Sequence, residues 1–165
     1  MQLNEFYDYK NQLMGDILTN EKIVSMIDEE IDFKKANTLA YTKVFPYEYI
    51  PETVQHGATY ICFDVDIQRA SNKTYYTPVI YIWVFTHKSL MRLKDGGVRV
   101  DQICAELAET LNGSRYYGLG ELDLYSVKRF APMTDYQGKV ITLYAEDFNR
   151  LSPTGKPIPA NRKRE

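Results

Sequence analysis

Apolar residues near the start of the chain recur at the spacing of one helix face, which predicts two successive helices. The first covers about residues 3–18, with an apolar stripe made of Leu3, Phe6, Tyr7, Leu13, Met14, Ile17 and Leu18. A shorter stripe at Ile23, Val24 and Ile27 predicts the second helix. Thr19 or Asn20 is suited to end the first helix and cap the second, because short polar side chains accept hydrogen bonds from unpaired backbone N–H groups.

Strict alternation replaces the helical period after residue 57 and predicts two strands. In residues 58–68, one face carries Ile61, Phe63, Val65 and Ile67, and the other carries Tyr60, Cys62, Asp64 and Asp66. This pattern is typical of a strand with one buried face. Residues 77–87 are apolar on both faces, which predicts a central strand covered on two sides. The polar stretch between the two strands allows an antiparallel hairpin.

A third amphipathic pattern, over residues 95–112, predicts the clearest helix of the chain. Its inner stripe consists of Val100, Ile103, Cys104, Leu107 and Leu111, and its outer face carries Arg99, Asp101, Glu106 and Glu109. Asp95 and two glycines precede the helix, and Asn112-Gly113 provides the residue types that favour its end.

Two further strands are predicted over about residues 119–130 and 138–146, joined by a turn at 132–138. The first has Leu122, Leu124 and Phe130 on one face and Glu121, Asp123 and Tyr125 on the other. The element order ααββαββ predicts an α+β fold, with an antiparallel sheet of about four strands and helices packed on one face. We expect residues 1–150 to form a single domain.

Two segments fall outside this pattern. Residues 32–57 form a long predicted connection rich in aromatic residues, and connections of this length are usually pinned down or functional. Residues 151–165 combine prolines and polar residues without a period and end in Arg162, Lys163 and Arg164. They predict a flexible basic tail.

The composition supports a globular protein that stays in a reducing cytoplasm. The chain has 165 residues, 44% of them hydrophobic, and a formal net charge of −2, which gives no general attraction to nucleic acid or anionic membranes. Its two cysteines do not make a disulfide framework, and we expect both to be buried free thiols. No apolar stretch is long enough to span a bilayer. The 14 tyrosines suit both sheets and protein interfaces.

A search for catalytic chemistry finds little. The two histidines, His56 and His87, are not spaced as a metal-binding pair, and no phosphate-binding or nucleophile motif is present. The best candidates are two carboxylate pairs, Asp64 with Asp66 and Glu121 with Asp123, which could hold Mg²⁺ for phosphoryl chemistry. The same spacing is ordinary on a polar strand face, so we expect no metal, no cofactor and no enzymatic activity.

The order of the elements resembles that of neck proteins of tailed bacteriophages, the tail terminator and head–tail joining group. The resemblance covers about residues 3–147. It includes the opening helix, the strand pair with its apolar central strand at Thr77–Phe85, the helix from Arg99 to Leu111 and two closing strands. It implies a structural subunit that forms a ring, commonly a hexamer, which caps the tail tube and joins it to the head connector. The protein would then be made in the host cytoplasm and reside in the virion.

The resemblance also implies roles for particular residues. We expect aromatic side chains in the 32–57 and 70–77 segments to contact neighbouring subunits, namely Phe45, Tyr47, Tyr49, Tyr75 and Tyr76. Trp83 is a further candidate, although plain core packing is the stronger explanation for it. The ring would pass DNA without sequence specificity, with Asp64, Asp66, Glu121 and Asp123 as candidates for its lining. Two alternatives remain open, a small metal-dependent phosphoesterase or nuclease and a cytoplasmic adaptor domain unrelated to phage.

Overall fold

The computed structural model describes residues 4–51, 57–68 and 74–148. Within these ranges the chain forms three α-helices, two 3₁₀ helices and six strands. The helices are α1 (Glu5–Leu18), α2 (Glu21–Ile27) and α3 (Arg99–Leu111), with 3₁₀ helices at Phe33–Leu39 and Lys88–Leu90. The strands are β1 (Val44–Phe45), β2 (Thr59–Gln68), β3 (Tyr75–His87), β4 (Asp123–Met133), β5 (Tyr136–Tyr144) and β6 (Asp147–Phe148).

The strands form one mixed sheet in the order β1-β2-β3-β5-β4, with β6 paired to the start of β3. Strand β1 is parallel to β2, and the other pairs are antiparallel. The α+β class is confirmed, but the prediction of about four antiparallel strands in the order ααββαββ is wrong. Strands β1 and β6 have two residues each, which is too short to produce an alternating sequence pattern.

The helix ends follow the local chemistry that the sequence indicates. The side chain of Asn20 accepts hydrogen bonds from the backbone N–H groups of Lys22 and Ile23, so it caps α2. Gly96 and Gly97 both have a φ of +92°, a conformation that only glycine adopts without strain, and they turn the chain into α3. The helix begins at Arg99, four residues later than the predicted pattern.

The main hydrophobic core lies between the helices and one face of the sheet, which we call the inner face. Strands β2 and β3 contribute Ile61, Phe63, Val65, Ile80, Ile82 and Val84. The helices contribute Leu13, Ile17, Ile23, Val24, Ile103 and Leu107. Most of these side chains are completely buried, and each one stabilises the fold by roughly 1.5–3 kcal/mol relative to an exposed position.

Three predicted positions differ in the structure. Tyr7, assigned to the core stripe of α1, is 72% exposed, and the buried tyrosine of that helix is Tyr9. Arg99, assigned to the outer face of α3, is only 4% exposed. Leu124, paired with Leu122 in the predicted alternation of β4, is exposed while Leu122 is buried. Strand β4 begins only at Asp123, so Leu122 precedes the strand and does not share its alternation.

The segment predicted as a long loop at 32–57 is largely ordered into short elements. It contains the 3₁₀ helix Phe33–Leu39 and β1, and Asp32 caps the 3₁₀ helix by accepting from the N–H of Lys34. The closing turn lies at residues 134–135 because β4 continues to Met133 and β5 already begins at Tyr136, whereas turn residues were predicted over 132–138. Residues 52–56, which include His56, and the predicted tail at 151–165 lie outside the described residues. In the described part, no helix is long and apolar enough to cross a membrane.

Candidate interaction surface

The sheet face turned away from the three α-helices is the candidate functional surface, and we call it the outer face. The strand register aligns its side chains in rows that cross β2, β3, β5 and β4. These rows are Cys62–Trp83–Val140–Lys128, Asp64–Tyr81–Thr142–Ser126 and Asp66–Val79–Tyr144–Asp123. The outer face therefore combines aromatic side chains at its centre with charged side chains at both edges.

Aromatic rings cluster in the centre of the outer face. Tyr81 and Trp83 on β3 are stacked, with ring centroids 5.9 Å apart. Tyr125, beside a bulge in β4, lies over Tyr144 with a centroid distance of 4.6 Å and is 63% exposed. Paired aromatic rings on an accessible sheet are typical of protein contact surfaces, because they bury a large area with little loss of side-chain freedom.

One end of the outer face is covered by the segment that follows β1. There Phe45, Cys62, Phe85 and Tyr136 form a second, smaller hydrophobic cluster. The ring of Phe45 stacks on that of Tyr49 at 4.1 Å, and both approach Tyr60. Burial raises the pKa of the Tyr60 hydroxyl to about 12. This cluster is packed as a core, so the accessible part of the outer face lies towards Asp66 and Asp123.

The aromatic interface candidates therefore differ in what they offer to a partner. Phe45 is 5% exposed and packs within the smaller cluster, so it offers little area to a partner. Tyr47 is exposed, and Tyr49 and Trp83 are half-buried beside the smaller cluster. Tyr75 stacks on Phe148 at 5.3 Å at the opposite end of the sheet, where Tyr76 is half-buried. That these residues contact another subunit stays a prediction.

The acidic candidates do not converge on one point. Asp66 and Asp123 lie at the two ends of a single row, and three strand spacings of about 4.8 Å place their backbones about 14 Å apart. The carboxylate of Asp64 pairs with Lys10 Nζ at 2.7 Å. Glu121 lies in the loop before β4 and pairs with Arg115 at 2.6 Å. No group of three or more His, Cys, Asp and Glu side chains able to hold a metal occurs among the described residues.

Both edges of the sheet present backbone groups without a neighbouring strand in the described ranges. On one side, β1 pairs only with Ile61 and Cys62, so residues 63–68 of β2 form an open edge. The N–H of Val65 at this edge donates to the side chain of Asp64 at 2.8 Å. On the other side, the whole of β4, eleven residues long, is an edge strand. Open edges are ready templates for pairing with another chain.

The two thiols are packed inside the protein. Cys62 belongs to the smaller cluster and Cys104 to the main core, and both are free and buried, as the sequence predicted. Burial raises the pKa of each thiol to about 12. His87 closes β3, where its Nδ1 is 2.7 Å from the hydroxyl of Ser89.

The sequence did not single out Tyr81, Tyr125 and Tyr144 as members of one surface. For Tyr125, the sequence alternation indicates only that it lies on the polar face of its strand. Their alignment depends on the order β3-β5-β4 and on the bulge between Leu124 and Ser126. Neither feature can be derived from alternation within a single strand.

A protein-family model described as YomW matches residues 13–144, which run from the middle of α1 to the end of β5. The family name is of a type given to proteins of a Bacillus prophage, which indicates a phage-related protein. A search among curated proteins finds no match.

Proposed function

The chain belongs to the YomW family, and we propose that it is a structural subunit of a phage neck. In this proposal, copies of the chain assemble into a ring, of six subunits in the commonest arrangement, that ends the tail tube and joins it to the head connector. The subunit works by binding other proteins, and the assembled ring lets DNA pass without reading its sequence.

The observation that carries the proposal is the outer face with its two open edges. A domain with no binding role has no need to leave an aromatic pair as accessible as Tyr125 over Tyr144, where Tyr125 is 63% exposed. Aromatic side chains on an uncovered surface are instead typical of interface centres, where they contribute most of the binding energy. The half-buried rings here are held in place by their neighbours, so they lose little freedom on binding.

A metal-dependent phosphoesterase is the competing proposal. It rests on Asp64 and Asp66, which share one strand face. Such an enzyme needs several carboxylates converging on the same ion, and Lys10 already neutralises the carboxylate of Asp64. Titration of the protein with Mg²⁺ and Mn²⁺ separates the two proposals. In isothermal titration calorimetry, saturable metal binding that is lost in Asp66→Ala would favour the enzyme. A heat signal equal to that of metal titrated into buffer would favour the structural subunit.

The proposal is tested by the assembly state of the purified full-length chain. Light scattering after size-exclusion chromatography, over a wide range of concentrations, is expected to show growth from monomer to one defined oligomer. Electron micrographs of that oligomer should show closed rings. The same measurement in the presence of a tail-tube protein from the same phage tests whether the ring forms only on the tube. A chain that stays monomeric at every concentration, alone and with the tube, would contradict the proposal.

A further inference from the structure

We infer that neighbouring subunits join by pairing the β4 edge of one copy with the open half of β2 in the next copy. The sheet would then continue from subunit to subunit around the assembly. This inference rests on the proposed ring-forming function and specifies the surface and partner that make the ring. The occupant of each open edge is thus a second copy of the same chain.

The two edges match in length. Between its two bulges, β4 has a regular stretch of five residues, 126–130. The open half of β2 offers six residues, 63–68. The bulges at either end of the β4 stretch interrupt regular pairing and therefore limit how far a partner strand can slide.

The two edges also match in direction. Neighbouring strands in the series β2-β3-β5-β4 are all antiparallel, so β4 runs opposite to β2 within one subunit. A second subunit placed beside β4 in the same orientation presents its β2 antiparallel to that strand. Antiparallel pairing is the stronger of the two ladder types. The arrangement keeps the helices of successive subunits on the same side of the sheet.

Side chains on both faces of this pair are complementary. Lys128 on β4 and the aspartates Asp64 and Asp66 on β2 all belong to the outer face. Val127, which is 42% exposed, belongs to the inner face together with Val65 and Ile67. Keeping the faces aligned therefore brings a lysine next to an aspartate on one side and apolar side chains together on the other.

Electrostatic attraction favours Asp66 over Asp64 as the partner of Lys128. Asp64 is already paired with Lys10, whose Nζ also donates to the carbonyl of Pro46. Asp66 is exposed and makes no ion pair with the described residues. A lysine entering from the next subunit would therefore meet, at Asp66, a carboxylate that none of the described residues neutralises.

The same charges disfavour symmetric pairing. Pairing of two β4 edges would bring Lys128 and Arg129 close to the same residues of the second copy. Pairing of two β2 edges would bring Asp64 and Asp66 close to theirs. Like charges opposite each other destabilise a strand pair. The unlike edges therefore pair head to tail, and a head-to-tail contact that closes generates a ring.

A charge exchange tests this contact on the assembled full-length protein. Asp66→Lys and Lys128→Glu should each raise the protein concentration needed for ring assembly about tenfold, because an attractive pair becomes repulsive. The double variant Asp66→Lys/Lys128→Glu restores an attractive pair and should assemble as the unchanged protein does. Glu109→Lys, a reversal at an exposed position on α3, serves as the matched control and should leave assembly unchanged.

Disulfide trapping gives a readout that does not depend on affinity. Asp66→Cys/Lys128→Cys in one chain should give, on mild oxidation, covalent chains of more than two subunits, since strand neighbours lie within disulfide distance. Each single cysteine variant should give dimers at most, and the native thiols are buried. A ladder obtained only with Asp64→Cys/Lys128→Cys would place Lys128 opposite Asp64 and would overturn the choice of Asp66.

The inference and the proposed function fail in different ways. The edge pairing would be overturned if rings form in every charge-reversal variant as in the unchanged protein and no disulfide ladder appears. That outcome would leave the structural role intact. Efficient disulfide dimers from Lys128→Cys alone, without a ladder in the double variant, would indicate β4–β4 pairing and overturn the head-to-tail contact. Monomers of the unchanged protein under all conditions would overturn the proposed function itself. Circular dichroism of each variant identifies any that fail to fold.

Discussion

The hydroxyl of Tyr9 in α1 donates a hydrogen bond of 2.8 Å to Oδ2 of Asp147 in β6. Both side chains are buried, and 138 residues separate them in sequence. The Tyr9 ring also lies 5.9 Å from that of Tyr117, whose hydroxyl donates to Asp16 of α1 at 2.6 Å. The first helix is therefore tied to the final part of the described chain by polar contacts inside the protein.

Removing the hydroxyl of Tyr9 should destabilise the protein. Tyr9→Phe keeps the ring and deletes a buried hydrogen bond to a carboxylate, which costs about 1.5–3 kcal/mol of unfolding free energy. Urea unfolding followed by circular dichroism measures the difference. Tyr7→Phe is the matched control, since Tyr7 is exposed on the same helix, and it should change stability by less than about 0.5 kcal/mol. Equal effects of the two substitutions would show that the Tyr9 contact does not stabilise the fold.

Arg99 should be the most sensitive charged residue of the protein. Its Nε donates to the carbonyl of Leu90 at 2.7 Å, and its other nitrogens contact the carbonyl of Met26 and the carboxylate of Glu29. Arg99→Met leaves the part-buried carbonyls of Leu90 and Met26 without this donor and leaves Glu29 with Lys94 alone, so it should lower stability by about 2–4 kcal/mol.

The matched control for Arg99 is Arg115→Met. Arg115 also pairs with a glutamate, Glu121, but both side chains are exposed. Exposed ion pairs contribute little, so this variant should change the urea midpoint only slightly. A midpoint shift of Arg115→Met as large as that of Arg99→Met would contradict the role assigned to the buried guanidinium.

Acid should weaken the contact between Asp28 and Lys43. Lys43 Nζ lies 2.7 Å from Oδ2 of Asp28, and this hydrogen bond holds the carboxyl pKa below its ordinary value of 3.8. A lowered pKa stabilises the folded state above pH 3.8, and the contribution is lost as pH falls through the lowered value. The unfolding free energy of Lys43→Met, measured by urea unfolding at a series of pH values, should therefore fall less on acidification than that of the unchanged protein. Identical acid profiles would exclude this ion pair as a source of pH dependence.

The buried thiols predict low chemical reactivity in the folded state. Because the pKa of Cys62 and of Cys104 is raised to about 12, almost no thiolate exists at about pH 8. A chromogenic disulfide reagent should react with neither cysteine until denaturant unfolds the chain, and then with both. Rapid reaction of one thiol in the folded protein would show that its surroundings open in solution.

Sequence periodicity was sufficient where one face of an element packs against the core. Ile61, Phe63 and Val65 are buried on the inner face of β2, as their alternation predicted. Periodicity failed for Arg99, because it assigns a charged residue to solvent. The acceptors that stabilise this guanidinium come from Met26, Glu29 and Leu90, which adjoin it only after folding. A buried side chain whose acceptors lie on other elements cannot be recognised from the pattern of its own helix.

The candidate surface was partly predictable for a similar reason. Alternation correctly placed Asp64 and Asp66 on the same strand face. It could not show that Asp123 lies in the same row as Asp66, or that Tyr144 lies between them, because cross-strand register depends on loop lengths and bulges. The alternation predicts Glu121 within the same strand as Asp123, but Glu121 precedes β4 and pairs with Arg115 in the loop.

Hydrogen–deuterium exchange of the assembled and monomeric protein tests most directly whether the open sheet is the surface through which the chain associates. We expect assembly to slow exchange at the backbone amides of β4 and of residues 63–68, while amides on the exposed side of α3 exchange equally in both states. Unchanged exchange along both edge strands in an assembled ring, with slowing confined to the helices, would contradict the account.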